Sequence, residues 1–430
     1  MKRLRAATGP VRGVVSVPGS KSIANRALAA AALADGDSHL SNVPDGDDTV
    51  AMVHCLAGLG IGVEVGDDGV VFVDGSGGRL DPRASRLDAR LAGTTSRFVT
   101  ALTALADTPI TIDGDPPLRR RPMTELHDVL RSLGAQVDDG GRGGRLPVTV
   151  TGPLRKGGTV RLRGDVSSQF VSAVMLIAPL LAGGVRIELT SPLVSQPYVR
   201  LTAAVMAAFG VTDVDISAER VDVRPGRYVG TGFAVEPDAS SASYPLAVAA
   251  VRGGAISVND LRPDSLQGDI AIIELLTAMG CAFTFDEHSI TVARDEAETL
   301  HGIDVDMAAT SDLVPTIAAV ATTASTPTTI RGVGFIRSKE SDRLGDLVGE
   351  LAKTGADVRQ TDDGLRVDPV PGGAAGLHGA VLHTHHDHRL AMAFAVLGAG
   401  VDGIAIDDPD VVTKSWPGFW TSYDALLGGA

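Results

Sequence analysis

Cationic and hydroxyl side chains recur along this sequence in short polar segments that each run into an apolar stretch. PGSKSIANRA, residues 18–27, sets Lys21, Ser22 and Arg26 around the start of the first stretch. A helix start offers free N–H groups and the positive end of the dipole, so basic and hydroxyl groups there suit a phosphate or carboxylate. GSKS matches the end of a P-loop only in part, because Ser20 stands where that pattern needs Gly; a Walker-type NTPase is disfavoured, and an N-cap with solvated charges is the other reading. In DGDPPLRRRPM, Arg119, Arg120 and Arg121 precede a helix expected to begin near Met123. At most one or two of three adjacent arginines can face one pocket, and Arg121, next to Pro122, is the best placed. GDVSSQF supplies Ser167, Ser168 and Gln169, either as a helix cap or as a neutral phosphate cradle, and SQPYVR adds the hydroxyls of Ser195 and Tyr198.

IRSKESDRL interleaves Lys339, Glu340, Asp342 and Arg343. Read as a helix, it puts Lys339 and Arg343 on one face with Glu340 beside them. That is either a salt-bridged surface helix or a carboxyl among cations that can give or take a proton. THHDHRLAMA crowds His385, His386, Asp387, His388 and Arg389 into one loop just after His383. A metal site is disfavoured there, since no thiol or Glu partner has suitable spacing. DVVTKSWPGF places Lys414 in a loop near the C-terminus.

Six polar loops of this kind open six alanine-rich apolar helices, at Gly19, Ala92, Asp165, Pro237, Ala309 and His385. Their anchors Ser20, Thr94, Ser167, Ser240, Ser311 and Asp387 lie 71 to 76 residues apart. So long a period predicts duplicated subdomains, not a solenoid of short repeats. Between openings, an amphipathic helix ends at Gly60, Gly134, Gly210, Gly280 or Gly355 and leads into a strand, an Asp/Gly turn and another strand. Each unit therefore reads as β-α-β-α-β-β, and six are too many for one core, so three per domain is expected. The predicted domains are residues 20–236, and 1–19 with 237–430, the N-terminal strand closing the second domain. A double crossing of this kind permits hinge closure, and helix starts that converge would come together around bound anions.

With 430 residues, 44% hydrophobic and 21% charged, the chain has the make-up of an ordinary soluble protein of two or three domains. The formal charge of −14 and 4% aromatic content argue against a nucleic-acid surface, so an anionic ligand must meet a local cationic cluster. Cys55 and Cys281 are too few for a secreted disulfide framework, and the N-terminal segment has no uninterrupted apolar run, which points to the cytoplasm. The apolar helices are too short to cross a bilayer.

PGSKSIANRA, AGTTSR, RRRPM, DVSSQF, SQPY, EPDASSASY, KESDRL, DHRLAMAF and TKSWP occur in the order found in the 5-enolpyruvylshikimate-3-phosphate synthase family, which the chain resembles over essentially its whole length. The resemblance implies a two-domain inside-out α/β barrel of six β-α-β-α-β-β units with the active site in the cleft between domains. It further implies transfer of the enolpyruvyl group of phosphoenolpyruvate to the 5-hydroxyl of shikimate 3-phosphate, in aromatic amino acid biosynthesis, and a site open to glyphosate. Matched residue by residue, Lys21, Ser22, Arg26, Ser167, Ser168, Gln169, Ser195, Tyr198, Asp312 and Lys339 are implied to bind shikimate 3-phosphate. Lys21, Gly93, Arg121, Gln169, Arg343, Arg389 and Lys414 are implied to bind phosphoenolpyruvate. Asp312 is the implied general base and Glu340 the proton donor to carbon, with Lys21 as its partner. No cofactor or metal is expected, because Lys and Arg neutralise the phosphates. A monomer that binds neither nucleic acid nor membrane is expected.

Two positions depart from the family pattern. Leu91 stands where Asn is common in the second loop, and Phe335 where many members have Asn. The nearest rival enzyme, a UDP-N-acetylglucosamine enolpyruvyl transferase, carries a reactive Cys in the loop that here reads DGDPPLRRRPM, and lacks the KSxxNR opening. RNA 3′-phosphate cyclases share related folds but fit this charge poorly. A non-catalytic polyanion-binding protein is the rival from another class.

Overall fold

The computed structural model describes residues 1–428 in two compact units. One is continuous, Gly19–Glu236, and the other discontinuous, Met1–Pro18 with Pro237–Ala430. Each has its own hydrophobic core.

In the continuous unit three buried helices, Lys21–Leu33, Gly93–Thr103 and Ser168–Ile177, pack on one another. Side chains from Ala27 to Ala32 are fully buried, since methyl-sized residues let helices that are apolar all round approach closely. Three four-stranded sheets lie outside them, each with the same plan of one parallel pair followed by an antiparallel hairpin. In the second repeat, Arg86–Asp88 runs parallel to Ile110–Asp113, which pairs antiparallel with Val148–Thr151 and that with Gln136–Asp138. A parallel pair needs a crossover, and the buried helix Gly93–Thr103 supplies it. The first repeat takes its parallel strand, Gly232–Ala234, from the far end of the unit to pair with Ser38–Ser41. The amphipathic helices Asp47–Gly58, Thr124–Leu133 and Pro197–Ala208 bury one face each.

The discontinuous unit repeats this plan around Ala239–Arg252, Val314–Ala321 and His388–Gly400. Val11–Val15, from the N-terminus, pairs in parallel with Gly254–Asn259. All five helix-ending glycines take positive φ, between 85° and 108°. At Gly134 this lets Ala135 N–H reach back to Leu130 O at 3.0 Å, closing the helix with a left-handed turn that a β-carbon would strain.

The sixth repeat is shortened. Its sheet has three strands, Val381–Leu382 parallel to Ala405–Ile406 and the latter antiparallel to Lys2–Arg3. After Ala405–Ile406 the described chain forms a 3-10 turn, Pro409–Lys414, and the helix Phe419–Gly428 in place of the hairpin. IRSKESDRL, read from its spacing as a helix, is not one helix. A 3-10 turn, Gly334–Ser338, ends before Lys339, and the next helix begins at Arg343. Asp342 is the reason: its side chain accepts from Gly345 N–H at 3.0 Å and caps the new helix, leaving Lys339 and Glu340 in the connecting loop.

Candidate active site

In the continuous unit Lys21, Ser22, Arg26, Gly93, Ser167, Ser168 and Gln169 lie at or near the N-terminal ends of the three buried helices, whereas Arg121 follows the short helix Pro116–Arg119 and Ser195 and Tyr198 lie at the start of Pro197–Ala208. Ser20 and Ala92 precede Lys21–Leu33 and Gly93–Thr103 without a side-chain cap bond, so the first amides of both helices are not engaged by a cap. Ser167 does cap its helix, accepting from Gln169 N–H at 3.3 Å, while Ser168 heads it and is buried. Arg121 is the buried member of the arginine triplet, whereas Arg119 is exposed and pairs with Asp113 at 2.7 Å.

Gly93, Arg97, Arg121 and Gln169 come together. Arg97 Nη1 donates to Gln169 Oε1 at 2.7 Å, and a β-carbon on Gly93 would run into the Arg121 guanidinium and stand 2.8 Å from Arg97 Nη1. Arg26 is buried and ties helices to each other: Nε donates to Thr202 Oγ1 at 2.7 Å, Nη1 to Ser22 O at 2.7 Å, and Nη2 to Ser172 Oγ and Tyr198 O at 3.3 Å. Burial pushes its pKa down to about 10, with Tyr198 pulling the other way, so it stays charged at neutral pH. Ser195 is buried with φ of 52° and its carbonyl accepts from Tyr198 N–H at 3.1 Å. Lys21 Nζ is 3.0 Å from Asp48 Oδ2, a buried carboxylate in the first turn of the next helix.

The discontinuous unit gathers Asp312, Lys339, Glu340, Arg343, Arg389 and Lys414 into one network. Arg343 is its hub, only 1% exposed: Nη1 donates to Asp312 Oδ1 at 2.9 Å, Nη2 to Glu340 Oε2 at 2.6 Å and Nε to Asp387 Oδ2 at 2.8 Å. Arg389 Nη2 holds the other oxygen of Asp312 at 2.8 Å, and Lys414 Nζ lies 3.5 Å from Glu340 Oε1. Lys339 Nζ is 3.9 Å from Asp312 and 5.7 Å from the centre of the Phe335 ring, so the residue that departs from the family pattern supports a cation. Four cations meet three carboxylates, leaving one positive charge in excess for an anionic ligand.

Burial alone would raise the Asp312 pKa, but Arg389, Lys339 and Arg343 outweigh it and hold the carboxyl well below the usual range. Burial would likewise lower that of Arg343, yet Asp387, Glu340 and Asp312 push it up. Asp312 is thus ionised and able to accept a proton, and Glu340 shares its guanidinium partner. Two of the loop histidines face other carboxylates, His383 pairing with Asp407 at 2.6 Å and His385 with Glu350 at 2.9 Å, while His388 Nδ1 lies 3.7 Å from Asp387.

Sequence reasoning assigned no role to Asp48, Arg97 or Asp387. Asp387 is fully buried, caps its helix by accepting from Arg389 N–H at 2.9 Å, and holds Arg343. The available signals were an acidic pair after Gly46, an Arg six residues past Leu91 just beyond the first turn of a helix, and an Asp at the cap position before Arg389.

A sequence model of the family described as EPSP synthase (3-phosphoshikimate 1-carboxyvinyltransferase) matches residues 6–423. A 3-phosphoshikimate 1-carboxyvinyltransferase from Trichormus variabilis is 41% identical over 421 residues, 97% of each chain. Its counterpart from Methanosphaerula palustris is 41% identical over 420 residues, again 97% of each. The solved EPSP synthase from Acinetobacter baumannii has a TM-score of 0.82 and 27% identity, over 99% of this chain and 97% of that one.

Proposed function

The chain belongs to the EPSP synthase family, and from that premise we propose that it transfers the enolpyruvyl group of phosphoenolpyruvate to the 5-hydroxyl of shikimate 3-phosphate, releasing phosphate. The observation that carries this reading is the buried network in which Arg343 holds Asp312 and Glu340 together, in a chain matched to the family from residue 6 to 423. Both substrates are compact polyanions, so each needs a local excess of positive charge on an acidic protein.

In the proposed mechanism Asp312 takes the proton of the 5-hydroxyl as its oxygen bonds to C2 of phosphoenolpyruvate, and Glu340, with Lys21, delivers a proton to the methylene carbon. The tetrahedral adduct then expels phosphate and the new methyl group gives back a proton, restoring the enol ether. Arg121, Arg343, Arg389, Lys414 and Lys21, with Gly93 and Gln169, are assigned to phosphoenolpyruvate. Lys21, Ser22, Arg26, Ser167, Ser168, Gln169, Ser195, Tyr198, Asp312 and Lys339 are assigned to shikimate 3-phosphate. Before substrate binds, the carboxylates neutralise all but one of the cations in the Arg343 network; substrate anions replace part of that pairing, which frees Asp312 and Glu340 for proton transfer. Residues of both units are proposed to act on the same pair of substrates. We further propose a cytoplasmic monomer; no helix among the described residues is long and apolar enough to cross a membrane.

The test is phosphate release from phosphoenolpyruvate with shikimate 3-phosphate as acceptor and UDP-N-acetylglucosamine as control. Turnover with shikimate 3-phosphate alone is expected; turnover only with the control, or binding without release, would overturn the reading.

A further inference from the structure

The fourth polar loop, DASSASY, packs against the residues that carry the network of the discontinuous unit. On its helix, Ala239–Arg252, the Ser240 hydroxyl donates to Asp269 Oδ2. Ser243 Oγ donates to Ser240 O at 2.6 Å and lies 3.1 Å from Thr316 Oγ1, one turn beyond Asp312. Tyr244, next on the same helix, is buried beside Arg389. Asp269 sits in a 3-10 turn, Gly268–Ala271, is 2% exposed, and has its Oδ1 buried with no hydrogen-bond partner among the described residues.

A carboxylate with one bare oxygen in such a place is costly to ionise. The charged groups facing it are Asp312 from the turn before Val314–Ala321, Arg389 from His388–Gly400 and Asp238 from the start of its neighbour helix. Burial, and then the charge of Asp312, push the Asp269 carboxyl up to about 7 against the pull of Arg389 and Ser240. Asp312 has the opposite problem. Three cations keep it ionised but make it a weak proton acceptor, and a second negative charge nearby would strengthen it.

We propose that Asp269, held by Ser240, is a positioning residue for the transfer reaction: ionised, it shares Arg389 with Asp312 and raises the basicity of Asp312, whereas protonated it leaves Arg389 wholly to Asp312. This rests on the reading of Asp312 as the base. It gives the fourth repeat a function without any contact to substrate.

The test follows phosphate release at saturating substrates from about pH 5.5 to 9 in the wild type, Asp269→Asn and Ser240→Ala, with circular dichroism and Tm at each pH. Ionisation of the substrate phosphates is common to all three. The wild-type kcat should fall on the acid side with a midpoint near neutrality. Asp269→Asn should lose that limb and run about tenfold slower on the plateau, the effect of one pKa unit on a base. Ser240→Ala should move the limb up by about one pH unit, because its hydroxyl stabilises the Asp269 anion. A purely structural role would lower Tm and kcat at every pH and leave the limb in place. That result in both variants, or in Ser240→Ala alone where Asp269→Asn does not fold, overturns the proposal. A wild type that releases no phosphate would overturn the reaction itself, and the proposal with it.

Discussion

Replacing Asp387 by Asn removes one of the three carboxylates on Arg343 while keeping the side chain's shape. Truncating one partner of a buried ion pair costs about 3–5 kcal/mol when the other charge is left uncompensated. Arg343 keeps Asp312 and Glu340, at 2.9 and 2.6 Å, so only its contacts to Asp387, from Nε to Oδ2 at 2.8 Å and from Nη2 to Oδ1 at 3.3 Å, are weakened and the cost falls to about 2 kcal/mol. The usual worth of one charged hydrogen bond, ~1.5–3 kcal/mol, gives the same figure. Asn still accepts from Arg389 N–H; Asp387→Ala loses that cap as well and should cost about 1 kcal/mol more. In urea the unfolding midpoint should drop in the order wild type, Asn, Ala. Kinetically, kcat should fall because Arg343 no longer fixes Asp312 and Glu340, but KM for phosphoenolpyruvate should not rise, since the cluster gains a positive charge. An unchanged midpoint in Asp387→Asn, or a KM that rises while kcat holds, would refute the hub role of Arg343.

His127 is fully buried with neither ring nitrogen hydrogen-bonded among the described residues, and burial, reinforced by Arg131, pushes its pKa down to about 4. Above the unfolded value of about 6.5 both states are neutral; as pH falls from there to 4 the unfolded chain takes a proton that the fold refuses, so stability drops by about 3 kcal/mol. His127→Leu should remove that part of the acid sensitivity, and identical urea midpoint shifts between about pH 7 and 4.5 in both proteins would exclude it. Asp312→Asn and Glu340→Gln should lose about 10²–10⁴ in kcat while the dissociation constant for shikimate 3-phosphate, measured by calorimetry, changes far less; an unchanged kcat in either takes that residue out of the mechanism. Gly93→Ala should displace the Arg121 and Arg97 guanidinium groups, raise KM for phosphoenolpyruvate about fivefold, worth ~1 kcal/mol, and weaken inhibition by glyphosate. Unchanged KM and inhibition would mean that the β-carbon is accommodated without moving either arginine.

The architecture was legible because it is periodic. Six polar openings at near-constant spacing, runs such as Ala29–Ala32 and five C-terminal glycines encode buried helices and their ends locally. The sixth repeat was expected whole; the strand that stands in place of its hairpin, Lys2–Arg3, comes from the other end of the sequence, a pairing that only folding creates. Spacing misled at Lys339 and Arg343, where a gap of four suits a helix but Asp342 starts a new one. The side chains missed share one property: their roles are set by partners far along the chain. Arg97 meets Gln169 across 72 residues and Asp387 meets Arg343 across 44, contacts that only folding creates. Arg26 carried a phosphate-binding pattern locally, and only its surroundings reveal that it also joins three helices.

Enolpyruvyl transfer by addition and elimination is tested most directly by running the reaction in D2O with shikimate 3-phosphate and phosphoenolpyruvate and identifying the product by NMR. Protonation of the methylene carbon passes through a methyl group holding one solvent deuteron. The expected result is an enol ether at the 5-oxygen with deuterium in its methylene group, formed in step with phosphate. Phosphate released without that enol ether, or an enol ether free of deuterium, would contradict the assigned chemistry.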